Sequence, residues 1–216
     1  MRLLLVNPNT NARTTATMAG IARAAAPPGV TVDGATAASG APLILDPAML
    51  ASAAAAVQAL IAETNLAGYA GIIVAAFGDP GLDALRASVT LPVTGIAEAA
   101  MACAAGHGRF AVVTTTPLLA ESIVARAAAY GHGAACTGVW LTPGDAGSLM
   151  ADPARLEAAL EAAIGRAMEE AAPDAIIIGG GPLAAAAAAL RPRLQVPVIE
   201  PVPAAVALAI RRAGGA

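Results

Sequence analysis

The chain has 216 residues, 57% of them hydrophobic but only 2% aromatic, with 12% charged and a formal net charge of −3. A core must therefore be built from Ala, Val, Leu and Ile, and the length suits one large α/β domain or two small lobes. The absence of a basic excess excludes a nucleic-acid surface, and two scattered cysteines, Cys103 and Cys136, are too few for a disulfide framework or a zinc site.

Arg2 to Val6 reads as a buried strand rather than a signal peptide. The polar turn Asn7-Pro8-Asn9-Thr10 follows, with an Asn or Thr to cap a helix running to about Ala25. Pro27-Pro28-Gly29 ends that helix, and Val30 to Asp33 has the look of a second strand. After the loop Ser39 to Pro42, Asp46-Pro47 starts a long alanine-rich helix to about Asn65. Gly71-Ile72-Ile73-Val74-Ala75-Ala76 is a β-branched run that breaks into Phe77-Gly78-Asp79-Pro80-Gly81-Leu82. This is the pattern of a buried parallel strand opening at its carboxyl end into a loop, where open α/β sheets bind ligands. A short helix from Gly81, a strand at Leu91 to Ile96 and a helix from Ala97 complete the first half.

The second half repeats this plan. Arg109 to Pro117 mirrors the Arg2 strand at an offset of 107, Asp174 to Leu183 mirrors the Gly71 block at 104, and Val196-Pro197-Val198-Ile199-Glu200 mirrors Leu91 to Gly95 at 105. Three blocks in one order at nearly constant spacing point to a duplicated α/β unit. The first lobe is expected over 1–96 with 197–216, and the second over 97–196. A pseudo-twofold between lobes places matching strand-end loops on opposite sides of a cleft, with Ala76 facing Gly180. That arrangement suits removal of a proton from one face of a carbon and its return to the other.

Asn7-Pro8-Asn9-Thr10, Phe77 to Leu82, Pro92-Val93-Thr94-Gly95-Ile96-Ala97-Glu98-Ala99 and Val112-Val113-Thr114-Thr115 together resemble the aspartate/glutamate/hydantoin racemase superfamily, its hydantoin and allantoin branch above all. The resemblance covers essentially the whole chain. It implies two Rossmann-like lobes, a site between them that needs no cofactor or metal, and racemisation by two cysteines. One such cysteine directly precedes the Phe-Gly-Asp-Pro-Gly segment, at Ala76, and the other follows the matching strand at Gly180 or Gly181. Neither is cysteine in this sequence. A tuned thiol exchanges a proton with a carbon acid; a methyl group or a hydrogen atom does not.

Asn9, Thr10, Thr114, Thr115 and Thr116 lie at corresponding strand ends, where hydroxyls, amides and backbone N–H groups form a carboxylate cradle. Phe77, Gly78, Gly179 and Gly181 would add backbone donors for an enolate-like oxygen. Asp79 and Glu200 are the spare acids nearest the two hinges, and a one-base reaction would use one of them, although Asp before Pro-Gly commonly fixes a turn. Glu98 stands in the first turn of its helix, while His107 and His132 belong to connecting turns away from the cleft. Cys103 and Cys136 read as small buried hydrophobes. The loop Ser39 to Asp46, with Leu43, Ile44 and Leu45, is placed to cover the cleft. Two functions follow. One is a cytoplasmic, homo-oligomeric racemase-like isomerase (or a one-base lyase or hydrolase) acting on a small carboxylate or cyclic ureide. The other is a non-catalytic ligand-binding or sensing protein on the same scaffold. A membrane segment is not expected, since the longest uncharged apolar stretch, Ala175 to Leu190, is short and holds three glycines and a proline.

Overall fold

The computed structural model describes residues 1–214. In chain order these form β1 (Arg2–Asn7), α1 (Ala12–Ala25), β2 (Thr31–Thr36), α2 (Pro47–Glu63), β3 (Gly71–Val74), α3 (Leu82–Ser88), β4 (Val93–Gly95) and α4 (Ile96–Ala105). The second half follows with β5 (Phe110–Thr114), α5 (Ala120–Ala129), β6 (Cys136–Leu141), α6 (Ala146–Met150), α7 (Pro153–Ala171), β7 (Ala175–Ile178), α8 (Ala184–Leu190), β8 (Val198–Ile199) and α9 (Pro201–Gly214). Two separate parallel four-stranded sheets result, ordered β2-β1-β3-β4 and β6-β5-β7-β8.

The two sheets match in register as well as in order. Leu3 pairs with Gly71 as Phe110 pairs with Ala175, and Ile72 pairs with Val93 as Ile176 pairs with Val198. The strand-end turns match too: Ala75 N–H donates to Val6 O as Gly179 N–H does to Val113 O, and Asp79 N–H donates to Ala76 O as Leu183 N–H does to Gly180 O. Ala76 and Gly180 are therefore structurally equivalent.

Strand alternation divides the apolar side chains among three cores. Leu3, Leu5, Ile73, Phe110, Val112 and Ile177 face a central core shared by both sheets, packed with α1, α4, α5 and α9. Leu4, Val6, Ile72 and Val74 face an outer core under α2 and α3. Ala111, Val113, Ile176 and Ile178 face the other outer core under α7 and α8. In the central layer Ala97, Ala100, Ala104, Ala205 and Ala209 are fully or almost fully buried. Small side chains there let α4 and α9 lie against each other. Arg212 of α9 donates to Val93 O and Thr94 Oγ1 and pairs with Glu98, which ties the last helix to β4 and α4.

Two sequence readings change. The cap of α1 is Asn11, one residue beyond the polar turn: its side chain accepts from the N–H groups of Arg13 and Thr14, while Asn9 Oδ1 accepts from Asn11 N–H. Cys103 is exposed and Cys136 half-buried, because Cys103 sits on the face of α4 turned away from the central core. No helix among the described residues is long and apolar enough to cross a membrane.

Candidate functional site

The carboxyl ends of the central strands of both sheets converge on one cleft. From the first lobe come Asn9 beyond β1 and Ala75, Ala76 and Phe77 beyond β3; from the second come Thr114, Thr115 and Thr116 at the end of β5 and Gly179 to Leu183 beyond β7. Leu43 and Ile44 of the loop before α2, Leu50, Leu119, Ile123 and Met150 close the apolar walls. The enclosed free volume is only about 50 Å³.

Most of the residues picked out from the sequence therefore meet here: Asn9, Ala76, Phe77, Thr114, Thr115, Thr116, Gly179, Gly180 and Gly181 all line the cleft. Thr10 and Gly78 do not. Thr10 is half-buried, its backbone N–H bound to Ala41 O at 3.2 Å, and Gly78 lines a separate groove with Leu50 and Arg126. Leu45 is likewise absent from the cleft wall. Leu50, Leu119, Ile123 and Met150 carry no sequence signal beyond being apolar, since helices and turns far apart in the chain deliver them.

The cleft is rich in donors. Asn7 Nδ2 donates to Asn9 Oδ1 at 2.8 Å and to Thr15 Oγ1 at 2.9 Å, which fixes the Asn9 amide and leaves its nitrogen without a protein acceptor. Among the described residues the backbone N–H groups of Ala76, Phe77, Thr115 and Gly180 also find no acceptor. Thr114 and Thr116 hydroxyls lie 3.1 Å apart and bond each other. Among the described residues no ionisable side chain lines the cleft. Among the described residues no cluster of His, Cys, Asp or Glu is arranged to hold a metal ion.

The two acids nearest the hinges lie outside the cleft and are engaged. Asp79 Oδ1 accepts from Ala97 N–H at 2.9 Å, and Oδ2 accepts from Glu98 N–H at 2.8 Å and Tyr130 O–H at 2.6 Å. The carboxylate thus closes the amino end of α4 and pins the end of α5. It lies where a Cβ on Gly95 would have to go, which explains the glycine at the end of β4. Burial pushes the Asp79 carboxyl up to about 6, against the pull of those three hydrogen bonds, and burial beside that charge pushes the Tyr130 phenol up as well. Glu200 stands immediately before α9 and pairs with Arg191 at 3.1 Å. Burial would raise Glu98, but Arg212 and Arg86 outweigh it and hold its carboxyl below the usual range.

The second hinge leaves no room for a side chain. A Cβ at Gly179 would sit 2.8 Å from Phe77 Cε1 and 3.0 Å from Val112 Cγ1, and one at Gly181 would sit 2.6 Å from Met18 Sδ and 3.3 Å from Ala75 O. Gly180 has φ of +152°, outside the range L side chains favour, and its Cβ would meet Leu183 at 3.2 Å. Phe77, Val112, Met18, Ala75 and Leu183 thus crowd these three glycines.

This geometry belongs to a known fold and family. The family model described as Asp/Glu/Hydantoin racemase matches residues 3–209, and the chain belongs to that family. The hydantoin racemase of Pseudomonas sp. (strain NS671) is 34% identical over 143 residues, 66% of this chain and 57% of that protein, so the match spans little more than half of the relative. Allantoin racemase from Klebsiella pneumoniae superposes with a TM-score of 0.91 at 34% identity, covering 97% of this chain and 86% of that one. Allantoin racemase from Pseudomonas fluorescens superposes with a TM-score of 0.93 at 32% identity, covering 99% and 92%.

Proposed function

We propose that this member of the racemase family uses its cleft to bind a small carboxylate or a cyclic ureide such as a hydantoin, without exchanging a proton on carbon. The observation that carries this reading is the lining of the cleft: polar donors and apolar walls, with no ionisable side chain among the described residues. Proton abstraction from carbon requires a group within hydrogen-bond reach that accepts the proton. The resemblance assigns that role to cysteines at the positions of Ala76 and Gly180, and neither a methyl group nor a hydrogen performs it.

The donors define what is bound. The Asn9 amide nitrogen, the Thr115 and Thr116 region and the two hinge backbones offer N–H and O–H groups suited to carbonyl or carboxylate oxygens. The walls suit a flat ring or short hydrocarbon portion. A free volume of about 50 Å³ is well short of the roughly 300 Å³ at the lower end of ligand sites. Seating a hydantoin therefore requires the cleft walls to move apart.

The test is proton exchange measured beside binding. Single enantiomers of 5-substituted hydantoins, allantoin, aspartate and glutamate are incubated with the protein in D2O. Ligand-observed NMR reports contact, and α-deuterium uptake with optical rotation reports chemistry. Binding with retained α-protons is expected. Deuterium uptake accompanied by loss of optical rotation, beyond the protein-free rate, would overturn the binding reading in favour of a racemase.

A further inference from the structure

We infer that the ligand site extends past the cleft into an outer compartment where Arg13 binds an anionic group, so that the preferred ligand is a carbonyl compound carrying a carboxylate tail. This rests on the reading of the cleft as a ligand site. A groove of about 430 Å³ lies between the first turns of α1 and the start of α8. It shares Leu43, Met150, Gly181 and Pro182 with the inner cleft. The same four residues thus wall both spaces, and a chain leaving the cleft between Leu43 and Met150 enters the groove directly.

Charge then selects the ligand. Among the described residues Arg13 is the only charged one lining either compartment. Its guanidinium takes part in none of the ion pairs that occupy Arg2, Arg86, Arg191, Arg193 and Arg212. Among the described residues its neighbours in the groove are hydroxyls, the Asn11 amide and apolar groups, with no carboxylate. The Asn11 side chain cannot serve as its acceptor, being committed to the N–H groups that start α1. An inner cleft of neutral donors and an outer groove with one free cation together fit a ligand with a carbonyl head and a carboxylate a few bonds away. The Arg13 fork would take that carboxylate bidentately.

The test compares 5-(2-carboxyethyl)hydantoin with uncharged 5-propylhydantoin by isothermal titration, on the intact protein and on Arg13→Ala, Arg13→Lys and Arg13→Glu. The side chain is exposed and unpaired, so all three variants are expected to unfold at the parent temperature. The intact protein should favour the carboxylate by about two- to fivefold, the size of one solvent-exposed charge contact. That preference should shrink as salt rises, because the groove is open to screening. Arg13→Ala should abolish it with affinity for 5-propylhydantoin unchanged, Arg13→Lys should keep part of it, and Arg13→Glu should reverse it. Equal binding of both compounds to the intact protein, or a preference that survives Arg13→Ala, overturns the inference while the cleft reading stands. Failure of both compounds to bind overturns the cleft reading and this inference with it.

Discussion

Tyr130→Phe removes one oxygen from the partners of the buried Asp79 carboxylate and leaves the ring packing in place. Asp79 is buried, and the Tyr130 hydroxyl is one of three donors to it. Its folded value of about 6 against an ordinary 3.8 means that ionised Asp79 costs the folded state about 3 kcal/mol at neutral pH. The sign follows from proton counting. Below the unfolded value both states hold the proton and no cost arises. Between about 4 and about 6 the folded state holds more protons, so this group's contribution falls as pH rises, and above about 6 the cost is constant. Losing a hydrogen bond to a charged group removes about 1.5–3 kcal/mol, roughly 4–10 °C in Tm for a chain of this size. Because that bond favours ionised Asp79, its loss also raises the folded value further. The variant should therefore be only slightly destabilised near pH 4.5 and strongly near pH 8, with the gap widening between them. Urea unfolding of both proteins across that range measures it. An equal loss at both ends, or none, would refute the assignment of the phenol as a donor to a carboxylate that titrates in the folded state.

Other substitutions probe the remaining supports. Glu98→Gln breaks the contacts with Arg86 and Arg212, each at 2.7 Å, and should cost about 2 kcal/mol by thermal unfolding at neutral pH. Since Glu98 is held low, its contribution is present above the unfolded value and lost on acidification, so the variant and parent should converge as pH falls. Asn7→Ala removes the side chain that orients Asn9 and binds Thr15; a loss of about 2 kcal/mol is expected, together with weaker ligand binding by titration. Gly179→Ala places a methyl against Phe77 and Val112 and should destabilise by about 1–3 kcal/mol, seen as a lower urea midpoint with an unchanged slope.

The sheets were legible because parallel strands buried on both faces read as continuous apolar runs, and three such runs recur at offsets that the strand register reproduces. Helix starts were legible where an acid precedes proline, as at Asp46, whose side chain accepts from Met49 N–H. The cap of α1 was misread because Asn7, Asn9 and Asn11 are chemically alike, and only the fold decides which of them faces the helix amides. The cleft was half legible: strand-end loops announce themselves by Gly, Asn and Thr, whereas Met150 or Ile123 becomes a wall only through packing between distant segments. Tyr130 left no trace at all, since its bond to Asp79 spans 51 residues.

The two hinges show why a nearby acid is a poor guide to chemistry in this fold. In the matched registers Asp79 corresponds to Leu183, and Gly95 corresponds to Glu200. The first lobe thus places its acid on the loop and glycine at the strand end; the second places leucine on the loop and its acid at the strand end. Asp79, on the loop before α3, reaches across to the N–H groups that start α4, and Glu200 directly precedes α9; a helix's exposed N–H end favours negative charge. Asp79 closes the amino end of α4 and holds α5, and Glu200 precedes α9 and pairs with Arg191. Among the described residues the ligand space is lined by backbone, amide, hydroxyl and apolar groups, a set suited to orienting oxygen atoms.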